Sequence, residues 1–294
     1  MFWQLLANGL VTGSVFAIAA VGVSVVYGIL RLVNFAYGDF MAFGALTAYL
    51  FNGPVGLGMV PATLLAMGAT ALLAVVFDAV LWRPLRHRRA GFMSLFLASI
   101  GLALVLRQAL LLAAGPQARA FKVNPYKVYV VGSVRLSEAQ FITIVVAAVA
   151  IVLIGLFLSR TTLGQTMRAM ADDRALAAIA GVNVPRAIAL TWVLSGLLAG
   201  VAGVLAGLVQ TTFDPNFGFQ LLLPIFAAVV LGGIGSAYGA LAGGLVLGIA
   251  TELSTWPSLF GGVNPVYKPV VAFVVLAAAL LVRPQGLFGR ARVV

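Results

Sequence analysis

The chain has 294 residues, of which 63% are hydrophobic and only 9% charged. Its mean hydropathy is +1.13, and because soluble domains carry about 25% charged residues, a water-soluble fold is excluded. The formal net charge of +11 is spread between apolar runs, which fits the Lys and Arg excess of cytoplasmic loops in membrane proteins and not a nucleic-acid surface.

Apolar runs cover 5–27, 40–51, 60–82, 92–114, 141–158, 188–212, 221–253 and 266–282. About 20 apolar residues cross a hydrocarbon core of roughly 30 Å, so the runs predict one all-α polytopic transmembrane bundle over 1–294. The first run follows no basic stretch and ends at no small-residue cleavage site, and it is read as a retained helix. Arginines cluster at Arg83, Arg86, Arg88 and Arg89, at Arg160, Arg168, Arg174 and Arg186, and at Arg283, Arg290 and Arg292. These mark the cytoplasmic face. Counting crossings from them places the N-terminus and 115–138 outside, and 159–187 and the C-terminus inside. The stretch 221–253 must then cross an even number of times or re-enter, and Gly232, Gly233 and Gly235 supply the break. Two short segments around those glycines are expected, giving about eight crossings, or six plus a re-entrant pair.

The external segment 115–138 is the least membrane-like part, and 128–131 reads as a short strand. Its Arg119, Lys122, Lys127 and Arg135 run against the inside bias but are outnumbered. Glycines fall four apart at Gly9 and Gly13, Gly196 and Gly200, Gly203 and Gly207, and along Gly235, Gly239 and Gly243. That spacing stacks small residues on one helix face and predicts close helix packing.

Chemistry is sparse. The one histidine, His87, sits among arginines, and there is no cysteine, so no catalytic constellation, metal site or cofactor is expected. Asp172 and Asp173 are adjacent and on a helix would point about 100° apart, which suits a solvated pair or a cap and not a shared acid/base site. None of Lys122, Lys127 and Lys268 stands in a Gly-x-x-x-x-Gly-Lys context, so ATP, if it drives this protein, is hydrolysed by another chain. Arg107 is the only charge well inside a run, with Asp78 and Glu252 nearer the ends. It is expected to snorkel or to find a structural partner, ahead of touching substrate. A self-sufficient channel or ion-coupled carrier for a small neutral solute, such as urea or an amide, is the alternative to an ATP-driven system.

The segment 159–187 is long and only weakly hydrophobic, and it reads as two short surface helices. Asp172 or Asp173 can cap the second, Ala175, Leu176 and Ile179 make an apolar stripe, and Gly181 stops it. A stripe of that spacing suits a partner's groove. The order Gly164, Arg168, Ala169, Asp173, Ala177, Ala178, Gly181, Val182, Asn183 resembles the cytoplasmic coupling loop of ABC importer permeases. The strict Glu-Ala-Ala form is missing, because Leu176 precedes Ala177 and Ala178, the departure found in the branched-chain amino acid branch. Gly22 and Gly28, then Arg31, Val33, Asn34, Phe35, Ala36, Gly38 and Asp39, are similar to the "NFAHGD" signature of LivH-type permease subunits, with Tyr37 in place of the usual His. Leu231 to Ser236 with Gly239, and Arg283, Pro284, Gln285, Gly286, Leu287 and Phe288, resemble its late signatures.

The resemblance implies a permease subunit in the bacterial inner membrane that imports branched-chain or related amino acids by alternating access. It further implies a LivM-like second permease, two ABC ATPase subunits and an external substrate-binding protein as partners. ATPase coupling would fall to Gly164, Arg168, Asp173, Ala177, Ala178, Gly181 and Asn183. Asn34, Phe35, Gly38 and Asp39, with the break at Gly232, Gly233 and Gly235, are the expected near-path elements, because polar groups and interrupted helices at membrane depth face cavities or other protein.

Overall fold

Apolar length alone dictates most of the elements. The computed structural model describes residues 1–123, 127–132, 134–257, 262–283 and 285–288, so Pro284, Arg290 and Arg292 of the sequence signatures lie outside the described residues. Helix α1 (Phe2–Leu30) is followed by an irregular segment, and α2 (Tyr37–Asn52) by α3 (Met59–Phe77). A π turn at Asp78–Trp82 carries α3 into α4 (Arg83–His87), and α5 (Phe92–Ala114) follows. Strands β1 (Val128–Val131) and β2 (Val134–Ser137) then pair antiparallel in the segment expected to contain a strand. After α6 (Glu138–Arg160) come the short helices α7 (Thr162–Asp172) and α8 (Arg174–Ile179). The chain closes with α9 (Val184–Val209), α10 (Phe217–Gly232), α11 (Ala237–Leu253) and α12 (Lys268–Val282).

Among the described residues six helical runs are long and apolar enough to cross a bilayer, and α10 and α11 are shorter apolar helices. The break between these two falls at Gly233 to Ser236, as the glycine cluster predicts. Gly9 lies against Ile249, Gly13 against Leu245, and Gly28 against Gly235, so α11 runs antiparallel along almost all of α1. The seam depends on missing side chains: a Cβ on Gly13, Gly244 or Gly248 would meet the opposite helix's backbone. Close backbone approach of this kind is what small residues give a membrane helix.

Helix α1 is apolar all round and is the buried centre, contacting α6, α9, α10 and α11. A helix without a polar face belongs inside a bundle. Around it, α3, α5, α6 and α12 keep most of their apolar surface outward, as suits helices against lipid or another membrane protein. Trp82 of the π turn stacks on Trp192 of α9 with ring centroids 6.0 Å apart, locking the far end of the α3 run to α9.

The two ends of the bundle are tied together by different contacts. At one end Arg31 at the close of α1 donates to the Ala171 carbonyl of α7. At the other, Gln4 bonds Arg135 of β2, Phe2 packs on Trp256, and Arg119 pairs its backbone with Phe213.

Candidate coupling and translocation elements

The segment after α6 is built from caps. Thr161 accepts from the Gly164 amide at 2.9 Å and opens α7, and a side chain at Gly164 would overlap the backbone of Phe157 and Leu158, so the tight turn from α6 needs glycine there. Gly164, Met167 and Met170 form the buried face of α7. Arg168 on the outer side reaches the Ser159 carbonyl at 3.5 Å.

Of the two candidate acids, Asp173 is the cap of α8: its Oδ1 accepts from the Ala175 and Leu176 amides at 2.8 and 3.0 Å. Such a cap is worth about 1 kcal/mol. The helix ends in a Schellman motif, in which the Gly181 amide bonds the Ala178 carbonyl and the Val182 amide bonds the Ala177 carbonyl, both at 3.1 Å. Gly181 has φ +87°, a conformation that costs other residues about 1–2 kcal/mol. Asn183 then caps α9 through the Arg186 amide. Helix α8 is thereby fixed at both ends while burying only Ala177. Ala178 is exposed, and Leu176 and Ile179 are 66% and 84% exposed. An apolar pair held outward on a capped helix has no role in this chain's own core.

The second group surrounds the irregular approach to α2. Asn34 Oδ1 accepts from the Ala36 amide at 3.1 Å, a turn that precedes the helix. Phe35 packs against Phe96 of α5 and Phe226 of α10. Gly38 and Gly218 touch backbone to backbone where α2 meets the start of α10. Asp39, fully buried, takes the Arg107 Nε at 3.1 Å, and the Arg107 guanidinium lies 3.9 Å from the Phe219 ring centre. Arg107 therefore has a structural partner and does not snorkel. Asp39 Oδ2 and Asn34 Nδ2 are buried without a hydrogen-bond partner among the described residues.

The glycine break is the third element. Gly232 packs on Gly239, Gly233 ends α10 with φ 106°, and Gly235 rests near Gly28 of α1. The end of the chain docks here: the Leu287 and Phe288 amides bond the Leu231 and Gly232 carbonyls at 2.8 and 3.0 Å. These are carbonyls that a helix end leaves without partners. The structure does not bring the two near-path groups together, since Gly38 lies at the start of α10 and Gly232 at its end.

Sequence reading alone missed the partners of the membrane acids. Besides Asp39 with Arg107, Asp78 pairs with Arg86 at 2.7 Å and Glu252 with Lys268 at 2.6 Å. The available signal was that a lone ionisable group in an apolar run requires a partner.

An antiparallel helical bundle with paired intramembrane charges, an interrupted helix pair and a capped helix standing outside the bundle is the body of a multi-spanning membrane permease. Residues 5–280 match the family model described as branched-chain amino acid transport system / permease component. The chain belongs to that family and is an ABC importer permease subunit. It is 35% identical to the high-affinity branched-chain amino acid transport system permease protein BraD of Pseudomonas aeruginosa, covering 99% of this chain and 97% of the relative. Identity to the LivH permease of Escherichia coli K12 is 32%, with the same coverage. A solved structure of PsaBC from Streptococcus pneumoniae in complex with Fab superposes with a TM-score of 0.52 at 16% identity, over 97% of this chain and 94% of that one. It shares the fold.

Proposed function

We propose that this chain is one membrane half of an ATP-driven importer of branched-chain amino acids in a bacterial inner membrane. Its companions are a LivM-like second permease, two ABC ATPase subunits that supply all hydrolysis, and an external protein that delivers the amino acid. The N-terminus and the β1–β2 segment face outside, and the C-terminus and the 159–187 coupling loop face the cytoplasm. Relatives whose names specify branched-chain amino acid transport support the substrate class.

The observation that carries this reading is α8, which presents Leu176 and Ile179 to solvent from a frame fixed by Asp173, Gly181 and Asn183. In the assembled importer it seats in a groove of the ATPase subunit, where a few apolar anchors supply most of the affinity. Closure of the ATPase pair displaces α8, and α7 passes the displacement on, because it packs on α1, α6 and α9. A cavity of about 480 Å³ separates α7 from the glycine break and is lined in part by Arg31, Arg168, Ser236 and Phe288. It gives these parts room to move. Asn34, Phe35, Gly38 and Asp39, with Gly232, Gly233 and Gly235, are the near-path elements in this scheme, their irregular backbone allowing α2 and α10 to shift.

Gly181→Leu tests the assignment. The expected outcome is normal membrane insertion with ATP-dependent leucine uptake lost in vesicles holding the full transporter. Unchanged uptake would count against α8, and solute flux through the purified chain alone would favour a self-sufficient channel or carrier.

A further inference from the structure

The end of α1 is an unusual place for an arginine. Arg31, which closes the helix, has φ 53° and ψ 30°, the left-handed conformation that glycine takes at helix ends and that strains any residue with a Cβ. Glycine would serve the backbone better there. What Arg31 adds is its guanidinium, and two neighbours fix where that group goes. It lies 6.0 Å from the ring centre of Tyr27, one turn earlier in α1, and its Nη2 donates to the Ala171 carbonyl at 3.3 Å. Ala171 belongs to the last turn of α7, where carbonyls have no partner inside the helix and a cation meets the negative end of the helix dipole.

The bond spans the edge of open space. Arg31 and Ala171 both line the cavity of about 480 Å³, as do Gly28 and Gly235. Two residues beyond Ala171, Asp173 caps α8, so the guanidinium holds the joint between the two short helices. Three residues before Arg31, a Cβ on Gly28 would meet the Gly235 carbonyl at 3.2 Å. The last turn of α1 therefore touches the α7–α8 joint through Arg31 and the glycine break through Gly28. Apolar packing through the buried Met167 and Met170 already seats α7 on the bundle, so the guanidinium adds direction more than stability. We propose that Arg31 is a positioning residue for energy coupling: it ties the α7–α8 joint to the end of α1, and displacement of α8 by the ATPase thereby moves α1 against the glycine break. Without it, α7 pivots on its methionines and the movement is lost before it reaches the bundle. The proposal rests on the importer reading above and names the residue through which the motion in that reading enters α1.

Arg31→Gly is the test, because glycine keeps the left-handed backbone and removes only the side chain. The full importer, in vesicles with its binding protein and leucine, is assayed for ATP hydrolysed and for leucine imported. Assembly with the ATPase and thermal unfolding should match the unaltered importer, and ATP hydrolysis should continue. Leucine imported per ATP should fall about tenfold, the scale of losing a hydrogen bond from a charged donor. Arg31→Asn, which also tolerates the left-handed region, should behave as Arg31→Gly does, and Arg31→Lys should recover part of the ratio. An unchanged ratio in Arg31→Gly, beside ATP-driven uptake by the unaltered importer, overturns the assignment and leaves the importer reading standing. Loss of folding, of assembly, or of uptake and hydrolysis in equal proportion also overturns it, since those mark a purely structural contact. Absence of ATP-driven uptake from the unaltered importer removes the importer reading, and this assignment with it.

Discussion

Helices α1 and α8 are both apolar, and they treat their apolar side chains in opposite ways. In α1, 89% of the most hydrophobic window is buried inside the bundle, and its glycines let α11 approach until backbones touch. In α8 a six-residue helix leaves Leu176 and Ile179 in the open, with local hydrogen bonds at each end standing in for packing. The contrast separates two uses of the same chemistry. Apolar surface that meets its own chain builds the bundle, and the apolar pair of α8 takes no part in that packing. The caps matter for the second use, since a frayed helix would have to order on binding and lose affinity to that cost.

Substitutions can sharpen this contrast, from the greatest expected effect on the fold to the least. Arg107→Met leaves Asp39 charged, buried and unpaired, and should destabilise by about 3–5 kcal/mol. Adding Asp39→Asn should recover much of that loss, read as thermal unfolding in detergent. Gly13→Leu wedges a side chain between α1 and α11 and should cost about 1–3 kcal/mol or more, with loss of folded yield in the membrane. Asp173→Ala removes the α8 cap at a cost of about 1 kcal/mol, and the signature should be faster hydrogen exchange confined to α8 with the bundle unchanged. Leu176→Asp should change stability by no more than about 0.5 kcal/mol, as expected of an exposed position, yet eliminate co-purification of the ATPase and ATP-dependent uptake. If Leu176→Asp instead unfolds the protein, α8 belongs to the core and the contrast collapses.

Features governed by local rules were legible from the residues. Hydropathy located the long helices, the glycine cluster located the break between α10 and α11, and the Asp172–Asp173 pair with Gly181 bracketed α8, the structure choosing Asp173 as the cap. Val128 to Val131 was identifiable as a strand because β-branched and aromatic residues follow each other there. Features that depend on which helix neighbours which were not legible. Asp39 and Arg107 are 68 positions apart, and Glu252 meets Thr12 across 240, so no window of sequence contains both members. Docking of Leu287 and Phe288 onto the end of α10 was hidden for the same reason, although both segments stood out as motifs. The start of α2 at Tyr37, three residues ahead of the apolar run, follows from Asn34, whose side chain organises the turn before it.

The most direct measurement concerns what covers α8. Ile179→Cys introduces the only thiol into this chain, at a position 84% exposed. A short thiol-reactive crosslinker placed there should capture the ATPase subunit in high yield, with a yield that changes when ATP closes the motor. Failure to capture any ATPase subunit, in a preparation that imports leucine on ATP addition, would contradict the account.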